Sequence, residues 1–511
     1  MHHQPTRRTV LHSMAAGAAV VAFDPSARSW IAGPARPHPA QPAGTAGNGL
    51  AGVPKLDGTL LTDPASLAAD ADDFGHSVHR LPAAVLRPGS VADVVAMVRF
   101  CNTHRIQVAA RGQGHGTNGQ AQVADGLIIE TATLDAIGPV RTLAAGTAAG
   151  AGTGTVTVGA GAVWSAVVQA TLAHGLTPPV FTDYLELSVG GTLSVGGLGG
   201  QSHRYGAQVD NVTALQVVTG AGELVSCSPT RRPDLFRAVL AGLGQCAVIV
   251  SATLRLVTAP TSVRHFLLPY TDLATYLDDQ RRLVDDARFA YVEGSIAPDA
   301  SGAFTGYVIE ATAYGPPAGP EPDDTALLRG LRYDRSGAVT AETLGYFDFL
   351  NRLAPGVAAL EAAGVWAWAH PWLNLLLPGD CAAALAGSVL DQMAGQDTGP
   401  GGVVLLYPLS SARLHTPLLR VPDDPVPYLL AVLWTLDPAD PAAVAARVTA
   451  NHAVYETVRA AGGTQYPVGS IPMTPADWHT QYAAAWPEFT AAKHRYDPHN
   501  LLAPGQHVFP T

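Results

Sequence analysis

Residues 111–120 read RGQGHGTNGQ, and this stretch decides the fold. Four glycines fall within the eight residues from 112 to 119. Glycine readily adopts positive φ, which lets successive backbone N–H groups turn toward one point. A nest of amides of this kind binds phosphate oxygens. The sequence therefore predicts a pyrophosphate-binding loop with His115 at its centre.

Gly114, Gly116 and Gly119 also spell G-x-G-x-x-G, the dinucleotide fingerprint. That fingerprint requires a strand before it and a helix that opens on its last glycine. A strand is predicted at residues 106–110, but only residues 120–126 separate the glycines from the next apolar run. Because seven residues are too few for a crossover helix, the sequence predicts strand, glycine loop, strand. The nicotinamide-binding arrangement is excluded.

Length and composition limit the fold and the partners. A chain of 511 residues exceeds the usual size of one hydrophobic core, so we expect two domains. The formal net charge is −11, and Lys and Arg do not cluster, which argues against a nucleic acid as a partner. No segment is predicted to span a membrane, and we expect no stable membrane association.

Neither the cysteines nor the histidines predict a metal site. The cysteines are widely spaced and form no C-x-x-C pair, which favours small core residues over a zinc site or a disulfide framework. His76 and His79 have no carboxylate or further histidine at ligand spacing, which favours a surface loop. The four cysteines are Cys101, Cys227, Cys246 and Cys381.

Residues 1–45 are predicted to be a targeting segment and linker outside the fold. Residues 6–11 read TRRTVL, which is typical of a twin-arginine export signal, and an apolar run follows at 14–23. That run is too short to cross a membrane. Pro, Ala and Gly then dominate residues 33–52. We therefore expect an exported protein, extracellular or held in the cell envelope, that acquires its cofactor before it leaves the cytoplasm.

Residues 56–259 are predicted to form a first, α+β domain. Ser90 to Asp93 is typical of a capping box that opens a helix ending near His104. Residues 183–200 form a second glycine-dense passage, and its interleaved Leu, Val and Thr favour a packed segment over a linker. Further helices are predicted at 66–70, 163–174 and 234–241, and strands at 83–86, 127–130, 155–158, 212–219, 223–225 and 247–256.

Residues 261–463 are predicted to form a second domain. Helices are expected at 271–287, with Thr271 as the N-cap, and at 343–353. Strands are expected at 266–269, 291–294 and 307–312. The last segment, 464–511, keeps apolar anchors such as Leu501 and Phe509. A free tail rarely keeps such residues, so we expect this segment to return to the first domain.

The glycine loop resembles the flavin-binding loop of the vanillyl-alcohol-oxidase (PCMH) type of FAD enzyme. Five stretches together are similar to cytokinin dehydrogenase, a secreted flavoprotein of that family, over about residues 74–509. They are residues 111–120, 183–193, 242–245 and 370–374, and the tail from residue 496. The resemblance implies an α+β chain with a PCMH-type FAD-binding domain and an α+β substrate, or cap, domain.

The resemblance also implies how FAD is held. His115 would carry the flavin covalently, and Gly116 stands where the family commonly has Ser. No Cys lies in residues 178–200, which argues against a second covalent link. The other cofactor-binding residues that the resemblance implies are Ala110, Gly112, Gln113, Gly114, Gln120, Asp183, Ser188, Ser194, Leu198, Ile249 and Gln506.

Asp183 is the predicted catalytic residue. Oxidation of a C–N bond by hydride transfer needs a neutral amine and a group that accepts one N–H proton. One carboxylate near the flavin can do this, and Asp183 is the position that matches the family. The alternative from the residues alone is a turn or cap residue after Pro178-Pro179.

The predicted substrate-binding residues are Trp372, Asn374 and Glu293. Trp372 offers a flat face to a planar heterocycle, and the Asn374 amide can pair with an acceptor–donor edge. Glu293 is a candidate at the pocket mouth, with a solvated residue at a strand end as the alternative. Trp366 and Trp368 are predicted to be core residues.

The resemblance implies oxidation of an N6-alkenyl adenine to adenine and an aldehyde, through an imine that water hydrolyses. The electron acceptor would be a quinone or oxygen. One alternative is an FAD-linked alcohol or sugar oxidase of the same fold, in which the base is more often Tyr or His. The other is a flavin-binding protein that stores or senses without turnover.

The export signal gives a direct test. Replacing Arg7 and Arg8 with Lys should trap the protein in the cytoplasm, because the twin-arginine receptor reads the guanidinium pair as an address. Fractionation of the producing cells measures this. Unchanged secretion of the double variant would contradict the export signal.

Overall fold

The computed structural model describes residues 20–32, 51–142, 153–315 and 323–510. The predicted twin-arginine motif at residues 6–11 lies outside these ranges. Within them, the strands form four sheets of three, four, six and eight strands. No helix in this part of the chain is long and apolar enough to cross a membrane.

The first sheet consists partly of residues 20–32, which the sequence interpretation placed outside the fold. Phe23 is 2% exposed, and its ring centroid lies 4.9 Å from that of Trp30 and 5.9 Å from that of Phe100. Burial of these aromatic rings explains why the segment packs on the domain. The strands are β1 (Val20–Asp24), β2 (Ser29–Ala32) and β3 (Ala51–Gly52), in the order β2-β1-β3.

The second sheet carries the glycine loop. Its strands are β4 (Thr59–Leu61), β5 (Ala84–Arg87), β6 (Val108–Arg111) and β7 (Leu127–Glu130), in the order β4-β5-β7-β6. Strand β7 is parallel to both β5 and β6. Residues 112–126 join β6 to β7 and contain no helix, which confirms the prediction from the short spacing.

The third sheet is antiparallel and has a long central strand. Its strands are β8 (Arg141–Thr142), β9 (Gly154–Gly159), β10 (Leu176–Thr177), β11 (Val212–Thr219), β12 (Leu224–Cys227) and β13 (Ala247–Thr258). The order is β12-β11-β13-β9-β8, and β10 also pairs with β13. The apolar side chains of β13 are divided between two cores: Ile249 and Leu254 lie in the main hydrophobic core, and Val248 and Val250 lie in the core that β6 and β7 share.

The fourth sheet is antiparallel and carries the predicted substrate residues. Its strands are β14 (Ser262–Tyr270), β15 (Tyr291–Pro298), β16 (Phe304–Gly315), β17 (Thr340–Gly345), β18 (Leu373–Leu377), β19 (Val403–Pro408), β20 (Tyr428–Leu433) and β21 (Thr464–Gln465). They follow the order β17-β14-β16-β15-β19-β20-β18-β21. Glu293 lies in β15 and Asn374 in β18, so both side chains stand on interior strands.

The α-helices of the described ranges pack around these sheets. They are α1 (Pro64–Asp70), α2 (Val91–His104), α3 (Trp164–Leu172), α4 (Val189–Val195), α5 (Ser202–Tyr205), α6 (Pro233–Val239), α7 (Leu273–Asp286), α8 (Asp324–Leu328), α9 (Tyr346–Leu350), α10 (Ala354–Ala362), α11 (Ala382–Met393), α12 (Pro441–Ala460), α13 (Pro475–Tyr482) and α14 (Trp486–Tyr496). The second glycine-dense passage forms α4 and the turns after it, so it is a packed segment.

From Lys493 onward, the C-terminal segment contacts the second sheet and the turn that precedes β13. Leu502 bridges to Val108 of β6 in parallel. Lys493 is 1% exposed, and its Nζ donates to the backbone oxygen of Gln245 at 2.9 Å and to Oδ2 of Asp497 at 2.7 Å. A buried and fully hydrogen-bonded ion pair of this kind fixes the segment, because loss of either charge would leave the other unpaired.

The predicted capping box at the start of α2 is wrong. Ser90 is the N-cap residue, but its side chain makes no capping hydrogen bond. Asp93 instead accepts hydrogen bonds from the backbone N–H groups of Asp57, Gly58 and Gly89, at 2.7–2.8 Å. The carboxylate thus binds a distant turn, which a local motif does not reveal.

Two predicted boundaries in the second domain are also wrong. Helix α7 begins at Leu273 and is capped by Asp272, whose carboxylate accepts from the N–H of Thr275 at 2.8 Å, so Thr271 is not the cap. Residues 343–345 belong to β17 and not to a helix. They pair with β14, and this long-range pairing outweighs the local pattern.

The glycine loop is packed closely against the start of α4. A Cβ atom added at Gly112 would overlap the Ser188 hydroxyl and lie 3.1 Å from the Ser188 Cβ. We expect Gly112→Ala to lower the thermal midpoint of the holoprotein by several degrees, because the new methyl must displace Ser188 or the loop. Differential scanning calorimetry measures this.

Two variants are matched controls for that substitution. Gly356 in α10 has open space where a methyl group would lie, so Gly356→Ala should leave the midpoint unchanged or raise it slightly. Ser188→Ala in the Gly112→Ala background should restore most of the loss. A wild-type midpoint for Gly112→Ala would show that the loop has room to move.

Candidate functional site

The glycine loop is held by two side chains. Asp73 accepts hydrogen bonds from the N–H of Gly119 at 2.7 Å and of Gly75 at 3.1 Å. The Gln120 Oε1 accepts from the N–H of Thr117 at 3.0 Å and of Asn118 at 2.8 Å. These N–H groups already donate to protein side chains and are not available to a ligand. The predicted phosphate-binding nest therefore ends at Gly116. Gly114 and Gly119 adopt the predicted positive φ, at 70° and 73°.

The first half of the loop can bind an anion. In the ranges that the structure describes, the N–H groups of Gly114, His115 and Gly116 have no protein acceptor. Unpaired amides on a glycine turn are suitable donors for pyrophosphate oxygens. The residues present therefore fit the phosphate end of a dinucleotide such as FAD.

His115 is neutral at physiological pH. Burial, followed by the nearby His370, lowers the pKa of His115 to about 3. The buried Nε2 atom has no hydrogen-bond partner among the described residues. A neutral imidazole with a free nitrogen has the protonation state that a nucleophile needs.

Aromatic rings surround His115. Phe74 lies between His115 and His370, with ring centroids 3.9 Å and 3.8 Å away. The rings of Trp366, Trp372 and Tyr184 lie 5.3–6.0 Å from that of His115. Trp366 was predicted to be a core residue, but it is half-buried and belongs to this cluster. The cluster provides flat apolar faces beside the loop.

Hydrogen bonds join the loop to the fourth sheet. The Thr117 hydroxyl donates to the backbone oxygen of Val468 at 2.8 Å, and the Gln120 Nε2 donates to that of Gly469 at 3.0 Å. The Ser470 hydroxyl donates to the Thr117 oxygen at 2.7 Å, and the Ser470 N–H donates to the oxygen of Trp372 at 2.7 Å. The loop and Trp372 are therefore held in one arrangement.

Asp183 lies between β10 and α4 and is held by two donors. The Tyr291 hydroxyl and the Arg352 Nη2 each donate to its Oδ1 at 3.0 Å. The next residue, Tyr184, belongs to the aromatic cluster around His115. Asp183 is therefore one residue away from a ring that contacts the loop histidine.

Glu293 is buried and not at the pocket mouth or a solvated strand end. Its side chain lies in the middle of the fourth sheet and is 3% exposed. Burial, followed by the charge of Asp183, raises the pKa of Glu293 well above its ordinary range. Two neighbouring carboxyl groups with different protonation states can serve as acid and base.

Trp372 and Asn374 present unused polar atoms. The buried Trp372 Nε1 and Asn374 Nδ2, like the Glu293 Oε1, have no partner among the described residues. Buried polar atoms are normally hydrogen-bonded, so unpaired donors in one region indicate a ligand site. An indole face, an amide and a neutral carboxyl group suit a planar nitrogen heterocycle.

The other predicted cofactor residues lie around the loop and in the core behind it. Ala110 is exposed near the end of β6, and Gln113 is exposed on the loop. The Ser194 hydroxyl donates within α4 to the Gly190 oxygen, at 2.7 Å. Leu198 donates through its N–H to the Tyr466 hydroxyl at 3.3 Å, Ile249 pairs with Val217, and the Gln506 oxygen accepts from Trp478 Nε1 at 2.9 Å.

Sequence reasoning missed several residues of the site. They are Phe74, Tyr184, Tyr291, Glu310, Arg352 and His370. Tyr184 and His370 fall inside motifs that the sequence singled out. Arg352 carries no local signal, because it follows Asn351 in a stretch of mixed polarity.

No group of three or more His, Cys, Asp or Glu side chains in the part of the chain that the structure describes has an arrangement that could hold a metal ion. The expectation that His76 and His79 lack a carboxylate neighbour is wrong. Asp72 Oδ2 lies 2.6 Å from His76 Nδ1, and Asp72 Oδ1 lies 3.3 Å from His79 Nδ1. Cys101, Cys227 and Cys246 are buried, as predicted, and Cys381 is half-buried.

Two family models match the chain. Residues 82–228 match the FAD binding domain. Residues 301–509 match the model described as "Cytokinin dehydrogenase 1, FAD and cytokinin binding". The two matches cover the glycine loop and most of the fourth sheet.

Two solved structures share the fold. The VAO-type flavoprotein MtVAO615 from Myceliophthora thermophila C1 superposes with a TM-score of 0.66, at 20% identity, over 84% of this chain and 79% of that chain. The 6-hydroxy-D-nicotine oxidase from Arthrobacter nicotinovorans superposes with a TM-score of 0.65, at 20% identity, over 88% and 96%. The predicted two-domain α+β fold of the PCMH type is confirmed.

Full-length relatives give the family. The chain is 39% identical over 450 residues to the "uncharacterized oxidoreductase ORF5 in fasciation locus" of Rhodococcoides fascians, covering 88% of this chain and 99% of that protein. It is 34% identical over 492 residues to cytokinin dehydrogenase 4 of Oryza sativa subsp. japonica, covering 90% and 91%. With both domains aligned, the chain belongs to the cytokinin dehydrogenase family of FAD-dependent oxidoreductases.

Proposed function

We propose that this protein oxidises the C–N bond that joins N6 to the alkenyl group of N6-alkenyl adenines, and releases adenine and an aldehyde. The observation that carries the proposal is the carboxyl pair of Asp183 and Glu293, next to Tyr184 of the aromatic cluster that also holds His115 and Trp372. The pKa of Glu293 is raised well above its ordinary range by burial and then by Asp183, so Glu293 keeps its proton. Asp183, held by Tyr291 and Arg352, is the proton acceptor.

The cofactor is held by the glycine loop and the segment packed against it. FAD, when bound, accepts the hydride that leaves the substrate carbon. The unpaired amides of residues 114–116 hold the pyrophosphate, and Ser188 closes the loop at Gly112. We further propose that His115 carries FAD covalently, since its neutral imidazole with an unpaired Nε2 suits a nucleophile.

The proposed substrate residues have different roles. Asp183 takes the N–H proton as the C–N bond becomes an imine, and water then hydrolyses the imine. Trp372 stacks on the purine, Asn374 donates through its unpaired Nδ2, and neutral Glu293 donates to a ring nitrogen or accepts from a ring N–H. Export through the twin-arginine route and reoxidation by a quinone or oxygen remain part of the proposal.

A sugar or alcohol oxidase of this fold more often has a Tyr or His base. Burial raises the pKa of Tyr291 well above its ordinary range, so its phenol keeps its proton at neutral pH. The phenol acts as a hydrogen-bond donor to Asp183. The carboxylate is therefore the better base, which favours amine oxidation.

Covalent attachment predicts that acid-precipitated protein stays yellow. His115→Ala should release its flavin into the supernatant and should slow substrate oxidation, because loss of the covalent bond lowers the flavin reduction potential. His79→Ala is the matched control, since its side chain is 63% exposed, and it should precipitate yellow. If acid precipitation releases all the flavin from the wild-type protein, covalent attachment is contradicted, but FAD binding is not.

Substitutions of Asp183 and Trp372 separate chemistry from binding. Asp183→Asn keeps the shape but lacks the charge, so turnover of isopentenyladenine should fall about 10²- to 10⁴-fold with little change in flavin content. Trp372→Ala should instead raise KM, because the stacking face is lost while chemistry on bound substrate persists. Steady-state kinetics measure both.

Asp299 provides the control for the aspartate substitution. It lies in a solvent-exposed turn where it binds Ser301, so Asp299→Asn should keep wild-type turnover. An Asp183→Asn enzyme that oxidises isopentenyladenine at the wild-type rate would rule out Asp183 as the base.

A further inference from the structure

A guanidinium lies among the carboxyl groups of the proposed substrate site. Arg352 stands between α9 and α10, and its side chain is 18% exposed. It donates to Asp183 Oδ1 at 3.0 Å, and its Nε lies 2.8 Å from Glu310 Oε1. Its central carbon lies 5.0 Å from the ring centroid of Tyr291 and 4.7 Å from that of Phe349. Contacts on so many sides fix the group in one place.

The carboxyl groups around this guanidinium are crowded. Glu293 of β15 and Glu310 of β16 are direct cross-strand partners, and like charges in that position repel each other. The raised pKa of Glu293 removes one charge. Burial opposes the charge of Glu310, but the hydrogen bond from His265 and the charge of Arg352 outweigh burial and lower its pKa. Glu310 is therefore anionic and paired with Arg352.

Two donors converge on one oxygen of Asp183. Besides Arg352, the Tyr291 hydroxyl donates to Oδ1, and Arg352 also donates to that hydroxyl. Tyr407 is a further titratable neighbour of Asp183. Burial raises the pKa of Tyr407 well above its ordinary range, so Tyr407 stays neutral. Arg352 thus supplies the positive charge next to Asp183, while Tyr291, Glu293 and Tyr407 are neutral.

We propose that Arg352, together with Tyr291, is a positioning residue that holds the Asp183 carboxyl group in one orientation. The inference rests on the proposed function, in which Asp183 accepts the amine proton. Arg352 acts through Asp183, because it donates to Asp183 Oδ1 and also to the Tyr291 hydroxyl that donates to the same oxygen. A planar guanidinium that bridges two carboxyl groups restricts their rotation.

The rate of flavin reduction, compared with adenine affinity, tests the inference. Wild-type protein and Arg352→Gln are mixed anaerobically with isopentenyladenine, and the limiting rate of flavin reduction is measured for each. The limiting rate should fall about 10- to 100-fold, because the proton acceptor is no longer held in place. The Kd for adenine, measured by calorimetry on the oxidised holoprotein, should change less than about threefold, since Arg352 acts on the base.

Two further variants test the role of the geometry. Arg352→Lys keeps a cation but loses the planar fork, so it should recover only part of the rate lost in Arg352→Gln. Tyr291→Phe removes one donor to Asp183 and should lower the rate by less than Arg352→Gln. These variants decide the question if Arg352→Gln yields no folded flavoprotein. Arg264→Gln breaks an ion pair between β14 and Asp324 and should leave rate and adenine affinity unchanged.

An Arg352→Gln protein with the wild-type limiting rate would overturn the inference, and so would a loss confined to adenine affinity. Failure of the proposed function looks different. In that case the wild-type flavin is reduced by no N6-substituted adenine, and the same rates are measured with the alcohol or amine that does reduce it.

Discussion

The buried carboxylate of Asp73 fixes the glycine loop, and the rest of the site depends on where that loop lies. By accepting the N–H of Gly119, Asp73 sets the far end of the loop. Hydrogen bonds from Thr117 and Gln120 to residues 468 and 469 then tie the loop to the fourth sheet. His115 and Trp372 consequently face the same aromatic cluster. The glycine loop, which crosses from β6 to β7 without a helix, is thus held beside Trp372.

Burial determines the protonation states on which the proposed chemistry depends. The same low-dielectric surroundings keep His115 and Glu293 neutral, one as a nucleophile and the other as an acid. Asp183 differs in its partners, because Arg352 and Tyr291 donate hydrogen bonds to it. In the proposed chemistry Asp183 is the proton acceptor, and the neighbouring Glu293 keeps its proton.

Local patterns in the sequence were sufficient for the loop and for most elements of the sheets. The spacing after Gly119 predicted a crossover without a helix, and the structure has none there. Side chains that act at long range could not be predicted. Asp93 binds residues 57, 58 and 89 instead of its own helix end, and residues 343–345 form a strand because β14 lies beside them.

The same limit applies to the site. Sequence motifs identified Asp183, Trp372 and Asn374 as candidates, but they gave no information on burial, so Glu293 was placed at a pocket mouth. Arg352 lies 169 residues from Asp183 along the chain, and only the fold brings the two together. Charge networks of this kind depend on how several strands pack together, and the spacing of residues along the sequence does not reveal them.

The most direct test of the account is anaerobic mixing of the wild-type holoprotein with isopentenyladenine, with the flavin absorbance followed and the products identified. The account predicts complete bleaching of the oxidised flavin and one adenine and one aldehyde for each flavin reduced. Reduction by a sugar or a primary alcohol, and by no N6-substituted adenine, would contradict it.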